Sequence, residues 1–176
     1  MENTFGKNII PANEAARLEI LSPYKKIDFK ADNHFNKIAR LATKLFNVPI
    51  ALVAFVDKEE VLFKANVGME GTETVSRGIS LCSLAILSDE VTVFERPLEE
   101  ACLMANPLVT GKFGLRFYAG APLKTKDGFN IGTLCIVDKK QRYITEAQKS
   151  ILEDLASITI DQLECRLALL EQFKQQ

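Results

Sequence analysis

Histidine is almost absent from this chain, and its cysteines are scattered. His34 is the single histidine among 176 residues, and Cys82, Cys102, Cys135 and Cys165 include no Cys-x-x-Cys pair. A zinc site needs about four nitrogen, sulfur or carboxylate ligands at recognisable spacing. A Ser-His-Asp or Cys-His pair would have to use His34, which lies in the first turn of a predicted helix, where a surface histidine is the ordinary expectation. We therefore expect no metal site and no histidine-dependent catalysis.

The chain also lacks a surplus of charge and a long apolar run. It carries 22 basic and 23 acidic side chains, for a net charge of -1. Nucleic acids and anionic lipids are held by strongly basic surfaces, so neither is an expected partner. No apolar run approaches the roughly 20 residues of a membrane span, and Met1–Pro11 has no apolar stretch typical of a secretory signal. We expect a cytoplasmic protein.

The first half of the chain predicts two helices and a pair of strands. With 47% hydrophobic residues, a chain of this length can form one domain with a real core. A short helix is expected over Asn13–Leu21, ended by Ser22-Pro23, and a second one from an Asp32 N-cap to about Asn47. Ile50–Val56 reads as a buried strand, and Val61–Ala65 as its partner.

The middle of the chain is less regular. It predicts a loop over Gly68–Gly78, a short helix within Ile79–Leu87 opened by Ser80, and a short strand at Val91–Val93. Glu95–Gly114 then forms a connection of about 20 residues, and loops of that length inside a domain are usually functional or mobile.

Arg116–Asp138 is the most informative stretch. Two apolar runs flank the polar turn at Lys126-Asp127-Gly128, which is typical of a β-hairpin. Neither run alternates cleanly, which favours central strands covered on both faces. Gly120 and Gly132 within these strands indicate a bulge or a close backbone approach.

The chain ends in a predicted helix of about 30 residues, capped by Thr145 with Glu146 in its first turn. It carries two apolar stripes, although a helix that only packs on a sheet needs one. The second stripe predicts a partner helix in a homodimer; a terminal helix with incidental leucines is the alternative. The stripes are Ile151, Leu155, Ile158, Cys165 and Leu169, and Leu152, Leu163, Leu167 and Leu170.

A series of motifs in order along the chain resembles the GAF domain family of bacteria. The resemblance covers roughly residues 13–169 and lies in the combined order and spacing of its parts rather than in any one motif. The matching segments are Asn13–Leu21 with Arg17 and Leu18, Val48–Val53, Phe63–Ala65, Arg77 with Ser80 and Cys82, Asn106–Val109, Arg116–Leu123 and Ile131–Asp138.

The resemblance implies an α+β fold, an α/β/α sandwich. Its antiparallel sheet of five or six strands would carry the N- and C-terminal helices on one face and a loop-rich pocket on the other. The domain itself would span residues 24–165, preceded by an N-terminal segment over 1–23 and overlapping a dimerisation or signalling helix over 145–176. Candidate ligand-binding residues of the pocket are Phe63, Cys82, Phe94, Arg116, Tyr118 and Cys135.

Alternatives stand beside this assignment. Phe63 and Phe94 are also explained by plain core packing. The guanidinium of Arg116 either holds a ligand carboxylate or phosphate or makes an internal ion pair. GAF domains are mostly sensory, so we expect a non-enzymatic module that binds an unidentified small molecule, with no particular cofactor indicated. A dimerisation module whose pocket is filled by its own side chains is the second hypothesis.

Departures from the family pattern bear on the ligand. Arg96 stands where many relatives have an aspartate. Glu100–Leu103 stands where they have an Asp-x-Arg-Phe motif before Asn-Pro. The signature of cyclic-nucleotide-binding relatives is missing, and no cysteine lies beside a histidine as in bilin-binding ones, so both ligand classes are disfavoured. Free methionine sulfoxide reductases share the fold and use pocket cysteines. Cys82 and Cys102 lie in comparable segments, but their flanking residues do not match, so an enzyme is disfavoured.

Overall fold

Six antiparallel strands form the centre of the protein in a computed structural model that describes residues 1–30 and 33–174. Their order across the sheet is β3-β2-β1-β6-β5-β4. The strands, numbered along the chain, are β1 Ile50–Val56, β2 Glu60–Val67, β3 Thr74–Ser76, β4 Thr92–Phe94, β5 Phe117–Lys124 and β6 Asn130–Asp138.

Helices cover both faces of this sheet. Three long ones share a core with one face, which we call the helix-side core: α1 Glu14–Tyr24, α2 His34–Phe46 and α5 Glu146–Lys174. Two short ones, α3 Cys82–Ala85 and α4 Pro107–Thr110, cover the other face and form the pocket-side core. The expected α+β sandwich is confirmed.

The central strand β1 explains why two covers are needed. All seven of its residues are buried, and successive side chains of a strand point to opposite faces. Each fully buried Val, Leu, Ile or Phe side chain stabilises the fold by about 1.5–3 kcal/mol, so neither face can be left to solvent. Ala51, Val53 and Phe55 point to the helix-side core, and Ile50, Leu52, Ala54 and Val56 to the pocket-side core.

The predicted hairpin is present as β5 and β6. Its register runs from Phe117 opposite Asp138 to Lys124 opposite Asn130. The turn contains Gly128 at φ +86°, a left-handed backbone conformation that glycine adopts without a steric penalty. The chain reverses direction at this turn, and the two strands then satisfy each other's backbone hydrogen bonds as an antiparallel pair.

The structure extends and corrects several predicted boundaries. Pro23 does not stop α1 but lies inside its last turn, because Leu21 and Tyr24 from that turn are buried in the helix-side core. The segment expected to be a loop between Gly68 and Gly78 contains the edge strand β3, whose three residues are too few to show a period.

Two predicted caps have different outcomes. Ser80 does not open the short helix, since α3 begins after Leu81 without a side-chain cap. Asp32 lies outside the described residues; α2 begins at His34, preceded by Asn33. The long connection after Glu95 is not featureless, because it contains α4 and two 3-10 turns, Pro97–Glu99 and Ala101–Leu103.

The long helix α5 begins as predicted. Thr145 Oγ1 accepts a hydrogen bond from the Gln148 backbone N–H at 3.1 Å, and Gln148 Oε1 accepts one from the Thr145 N–H at 2.9 Å. This is a capping box. The stripe that contains Leu155 does not stay on one side of the domain surface, because Leu155 is buried in the helix-side core whereas its other members are exposed. The large apolar and cysteine side chains that remain exposed on α5 are Ile151, Ile158, Cys165, Leu169 and Phe173.

The N-terminal segment has a structural role that its sequence did not predict. Phe5 and Ile9 are buried in the pocket-side core. The Thr4 backbone N–H donates to the Gly78 carbonyl at 3.0 Å, and a Cβ at Gly78 would lie 2.7 Å from the Glu2 carbonyl oxygen. The segment therefore lies directly across the chain that leads into α3.

A buried ion triad ties α1 to the same region. Glu14 accepts hydrogen bonds from Arg17 at 2.8 and 3.0 Å and from Arg77 at 2.5 Å. Both guanidinium groups are almost wholly buried, and Arg77 Nη1 also donates to the Asp57 carbonyl. Burial by itself would raise the pKa of Glu14, but the hydrogen bonds and charges of the two arginines outweigh it and lower the pKa to about 2.

We expect Glu14→Gln to destabilise the protein by about 3–5 kcal/mol, because it leaves two buried guanidinium groups without their carboxylate. The folded-state pKa lies below the unfolded value, so this stabilisation is present above about pH 4.5 and is lost as the pH falls toward about 2. Urea unfolding of the wild type and the variant across that range measures the difference, which should shrink as Glu14 protonates.

Glu19→Gln is the matched control, since Glu19 is exposed on the same helix. A Glu14→Gln protein that loses no more stability than this control, or a difference that is independent of pH, would contradict the role of the triad.

Candidate functional site: a thiol-floored cavity

A small cavity lies in the pocket-side core, between the sheet and the segments that carry α3 and α4. It encloses about 30 Å³, room for roughly one or two water-sized molecules. Its floor is buried, whereas its rim is formed by half-buried apolar side chains. The lining residues are Leu52, Phe63, Met69, Val75, Ser80, Leu81, Cys82, Leu108, Phe113, Leu115, Tyr118, Cys135 and Val137.

Four of the six candidate residues lie on this cavity: Phe63, Cys82, Tyr118 and Cys135. Phe94 does not line it. The ring of Phe94 lies 6.3 Å from that of Tyr118 and packs at the margin of the same core, which corresponds to the core-packing alternative. The position of Phe94 follows from β4, which pairs with β5 so that Phe94 lies opposite Tyr118.

Arg116 also lies off the cavity wall. The internal ion pair that was one hypothesis for its charge is not formed within residues 1–30 and 33–174, whereas its role toward a ligand stays a prediction. Its Nη1 donates to the carbonyl oxygens of Val109 and Leu115, each at 2.8 Å. Arg116 takes part in none of the ion pairs found among the residues that the structure describes. Its guanidinium instead ties the α4 segment to the start of β5, because backbone carbonyls at a helix end need donors.

The floor of the cavity is a cluster of thiols and hydroxyls around Cys82. Cys82 Sγ lies 3.9 Å from Cys135 Sγ. It accepts hydrogen bonds from Thr133 Oγ1 at 3.2 Å and from Tyr118 Oη at 3.4 Å. Thr133 and Cys135 lie on the same face of β6 because they are two residues apart. Tyr118 comes from the neighbouring strand, and Cys82 from α3 above the sheet.

These contacts shift the pKa values of the two thiols in opposite directions. The contact with the Cys135 thiol and the hydrogen bonds from the hydroxyls of Thr133 and Tyr118 lower the pKa of Cys82 against the opposing effect of burial. The same interaction with Cys82, followed by burial, raises the pKa of Cys135. Burial also keeps the pKa of Tyr118 well above its usual range, so its hydroxyl remains a donor. Cys82 is therefore the more acidic sulfur of the pair.

Gly120 is the reason that the Tyr118 hydroxyl can reach this cluster. The two residues share a face of β5, and a Cβ at Gly120 would lie 2.4 Å from Tyr118 Oη. Any side chain there would displace the ring. Gly132 has a different role, since its Cβ would meet the Ala54 carbonyl at 1.9 Å beside the irregularity in β1. Both close approaches were predicted from glycines within strands, although not their partners.

The structure pairs Cys82 with Cys135 and not with Cys102. Cys102 is half-buried in the pocket-side core but does not line the cavity. Of the two cysteines compared with those of the reductases, Cys82 therefore lies at the cavity and Cys102 does not. Thr133 was missed as a member of the cluster, although a polar residue in a strand that is otherwise apolar is the signal that could have identified it.

Asn106 is a second polar residue whose role the sequence left unassigned. It is fully buried; its Nδ2 donates to Ile79 O at 2.8 Å and to Thr4 Oγ1 at 3.1 Å, and its Oδ1 accepts from the Leu108 N–H. It caps α4 and joins the N-terminal segment, the approach to α3 and the cavity rim.

Residues 1–30 and 33–174 contain neither a candidate metal site nor a candidate membrane-spanning helix. Within these ranges, no group of three or more His, Cys, Asp or Glu side chains is arranged to hold a metal ion. None of the helices in the same ranges combines the length and the apolar character needed to cross a membrane.

Comparison with known proteins identifies a family. The profile of the GAF domain matches residues 32–159. A cyclic di-GMP phosphodiesterase from Pseudomonas aeruginosa is 33% identical over 151 residues, which are 85% of this chain but 26% of that relative. The chain thus spans about a quarter of the length of the curated relative that it matches.

Solved structures share the fold. The GAF domain of an Acinetobacter phosphoenolpyruvate-protein phosphotransferase is similar over 92% of this chain and 98% of its own, with a TM-score of 0.61 and 15% identity. A type II free methionine-R-sulfoxide reductase from Thermoplasma acidophilum is similar over 74% of this chain and 90% of its own, with a TM-score of 0.62 and 14% identity. At these identities the likeness concerns the fold alone.

We expect Tyr118→Phe to raise the pKa of Cys82, because it removes one hydrogen bond to the thiolate while keeping the ring. The loss of a buried hydrogen bond should cost about 1 kcal/mol of stability. The measurement is the ultraviolet absorbance of the thiolate as a function of pH, in protein in which Cys102 and Cys165 are replaced by serine.

Tyr24→Phe is the control, since Tyr24 is buried in the helix-side core. An unchanged thiolate titration in Tyr118→Phe, or an equal shift in the control, would remove Tyr118 from the cluster.

Proposed function

The chain belongs to the GAF domain family, whose members are mostly sensory, and we propose that it acts in signal transduction as a cytoplasmic, non-enzymatic sensory module. In this proposal a small molecule acts at the cavity between the sheet and the α3–α4 side, and the terminal helices carry the response. The single observation that supports it most is the polar floor of an otherwise apolar cavity, because convergent polar groups in an apolar pocket are the usual mark of a binding site. Four free cysteines also suit a reducing compartment.

The position of α5 supports the proposed relay. Tyr118 and Cys135 on β5 and β6 face the cavity, whereas Ala119 and Ile136, their neighbours in the chain, face the helix-side core. Leu152 and Leu155 of α5 pack in that same core. A change on the cavity side of these two strands therefore acts on the strands against which α5 lies.

The size of the cavity limits the input. Pockets for drug-sized ligands hold roughly 300–1,000 Å³, whereas this one encloses about 30 Å³. A dinucleotide does not fit such a space, and the likeness to the phosphodiesterase covers 26% of that relative. Neither consideration favours cyclic di-GMP as substrate or ligand of this chain. The input that suits the cavity has only a few heavy atoms.

The same small volume favours a second candidate function. A module that mainly dimerises, with Phe63, Met69 and Phe113 filling its own pocket, needs no ligand. The two functions differ in whether a change confined to the cavity alters the terminal helices.

We further propose that α5 joins two copies of the chain as a homodimer. Ile151, Ile158 and Cys165 are exposed at intervals of seven residues, the spacing that keeps one seam of a helix against a partner helix. Leu41 and Leu45, on α2, are 46% and 51% exposed as well. The α5 helix of a second copy carries the same apolar seam, so the two seams can pack against each other.

Filling the cavity tests the relay without knowledge of the natural ligand. In protein in which Cys82 is the only cysteine, methyl methanethiosulfonate adds one small methylthio group to the cavity floor. We expect hydrogen exchange in α5 to change by roughly fivefold or more, as a coupling of 1–3 kcal/mol predicts. The measurement is hydrogen exchange by mass spectrometry.

Protein with serine at all four cysteine positions, treated in the same way, is the control. Unchanged exchange in α5 after complete modification of Cys82 would refute the relay and leave the dimerisation module.

We expect Ile158→Glu to weaken the proposed dimer, because it introduces a charge into the centre of the apolar seam. Sedimentation equilibrium of the wild type and the variant measures the dissociation constant. Ser157→Glu adds the same charge at an exposed position beside the seam and should leave association nearly unchanged. A wild type that is monomeric at micromolar concentration would overturn the dimer.

A further inference from the structure

Two buried thiols from distant parts of the chain meet on the cavity floor. Cys82 and Cys135 are separated by 53 positions in the sequence, and their Sγ atoms are 3.9 Å apart. Both side chains are at most 2% exposed. A disulfide requires about 2.05 Å between sulfurs, so a shift of roughly 2 Å by the Cys82 sulfur would bring the pair to bonding distance.

The surroundings of the two sulfurs give them unequal roles. Thr133 Oγ1 and Tyr118 Oη both donate to Cys82 Sγ. Hydrogen bonds to a thiolate stabilise it, and the thiolate is the form of cysteine that acts as a nucleophile. Cys135, from which a hydrogen bond to Cys82 can come, remains a protonated thiol beside it. Cys82 is thus arranged to attack a substrate first, and Cys135 to react with the oxidised Cys82 afterwards.

The cavity restricts what can be attacked. Access is over the half-buried apolar rim at Phe63, Met69 and Phe113, and the enclosed space of about 30 Å³ accepts a molecule of a few heavy atoms. Hydrogen peroxide has two heavy atoms and no charge, and its oxygens can hydrogen-bond to the hydroxyls of the floor. Larger electrophiles meet the rim first.

We propose that Cys82 and Cys135 form a peroxide-reactive dithiol, and that its conversion to a disulfide is the chemical input of the domain. This names the input of the proposed sensory function and rests on it for the signalling consequence, whereas the thiol chemistry stands independently. The substrate class is hydrogen peroxide or a small hydroperoxide.

The reaction balances in two steps. The Cys82 thiolate attacks one peroxide oxygen, the O–O bond breaks, and the departing oxygen takes a proton and leaves as water, so that Cys82 becomes a sulfenic acid. The Cys135 sulfur then attacks the Cys82 sulfur, the S–O bond breaks, and the hydroxyl leaves as a second water with the Cys135 thiol proton. Two thiols are oxidised to one disulfide, and one peroxide is reduced to two waters.

Closure of the disulfide would draw α3 toward β6. Ser83, beside Cys82, donates its hydroxyl to the Arg77 carbonyl at 2.6 Å, and Arg77 Nη1 holds Glu14 of α1. These contacts join the dithiol to the N-terminal helix, which packs in the helix-side core with α5. We expect oxidation to alter hydrogen exchange in α1 as well as in α5.

The test uses the full chain with Cys102→Ser and Cys165→Ser, two cysteines outside the cavity. After treatment with a few equivalents of hydrogen peroxide, intact mass should fall by two hydrogen atoms. Peptide mapping without reductant should find Cys82 joined to Cys135, and dithiothreitol should reverse both changes. The same mapping on the wild type checks that the substitutions did not create the reactivity.

Two further variants separate the steps. With Cys135→Ser, the sulfenic acid at Cys82 cannot be resolved. Dimedone is too large for the folded cavity and should trap the sulfenic acid when it is added together with urea after the peroxide has been removed. With Cys82→Ser, Cys135 should react with neither reagent under the same conditions. Thermal unfolding of each variant identifies any that fails to fold, and the mapping of the wild type then still decides the question.

Each outcome bears on a different statement. No Cys82–Cys135 bond in folded protein, or oxidation of Cys82 by hydrogen peroxide that is no faster than oxidation of Cys102 in the wild type, overturns the dithiol. A disulfide that forms without any change of exchange in α1 and α5 keeps the dithiol and overturns the sensory function. If hydrogen exchange in α5 responds to the methylthio group but the thiols do not react with peroxide, the sensory function is kept and the dithiol is overturned.

Discussion

The central strands β1, β5 and β6 are buried on both faces, and the rest of the structure depends on that constraint. A strand with no polar face has to be covered twice. On one side α1, α2 and α5 provide the cover. On the other side the described part of the chain provides no long helix, and irregular segments cover the sheet there by inserting Phe5, Ile9, Leu103 and Val109. The connection between β4 and β5 is for this reason a packed layer, and the cavity is the small space that this layer leaves over the sheet.

Polar groups within these two cores are few, and most are paired. Burying an unpaired polar group costs roughly 1–3 kcal/mol, so each one fixes its neighbours in place. Asn106 fixes the N-terminal segment to the cavity rim, and Glu14 fixes α1 to the approach of α3 through Arg77. Around Cys82 the need to pair buried polar groups affects chemical reactivity as well as position. Its sulfur is satisfied by Thr133, Tyr118 and Cys135 together, which makes a chemically distinct thiol at a position where cysteine is ordinarily a small hydrophobe.

The parts of the fold that the sequence predicted are those set by neighbouring residues. The hairpin and β1 follow from apolar runs with clear turn signals, and the start of α5 follows from Thr145 and its partner Gln148. The misses have physical causes. The edge strand β3 is three residues long, and Pro23 lies in α1 because tertiary packing of Leu21 and Tyr24 outweighs a local stop signal. Phe5 and Ile9 stand in a segment without periodicity, so their burial could be recognised only once the layer they complete was known.

For the site, the amino-acid sequence was enough to predict the sheet, the family and four of the residues that line the cavity, because apolar runs, turn signals and motif order are properties of the linear chain. Tertiary structure alone decided which residues meet. Cys82 lies beside Cys135 because β6 takes its place between β1 and β5 and α3 crosses above it, and strand order depends on contacts between distant residues. Arg116 was assigned to the pocket by its place in a motif, yet its guanidinium bonds to the carbonyl of the preceding residue and to that of Val109, which the folded α4 segment brings within reach. The cavity limits the ligand to a few atoms. Its volume depends on how closely the sheet and the covering segments pack, and no local pattern of residues encodes that volume.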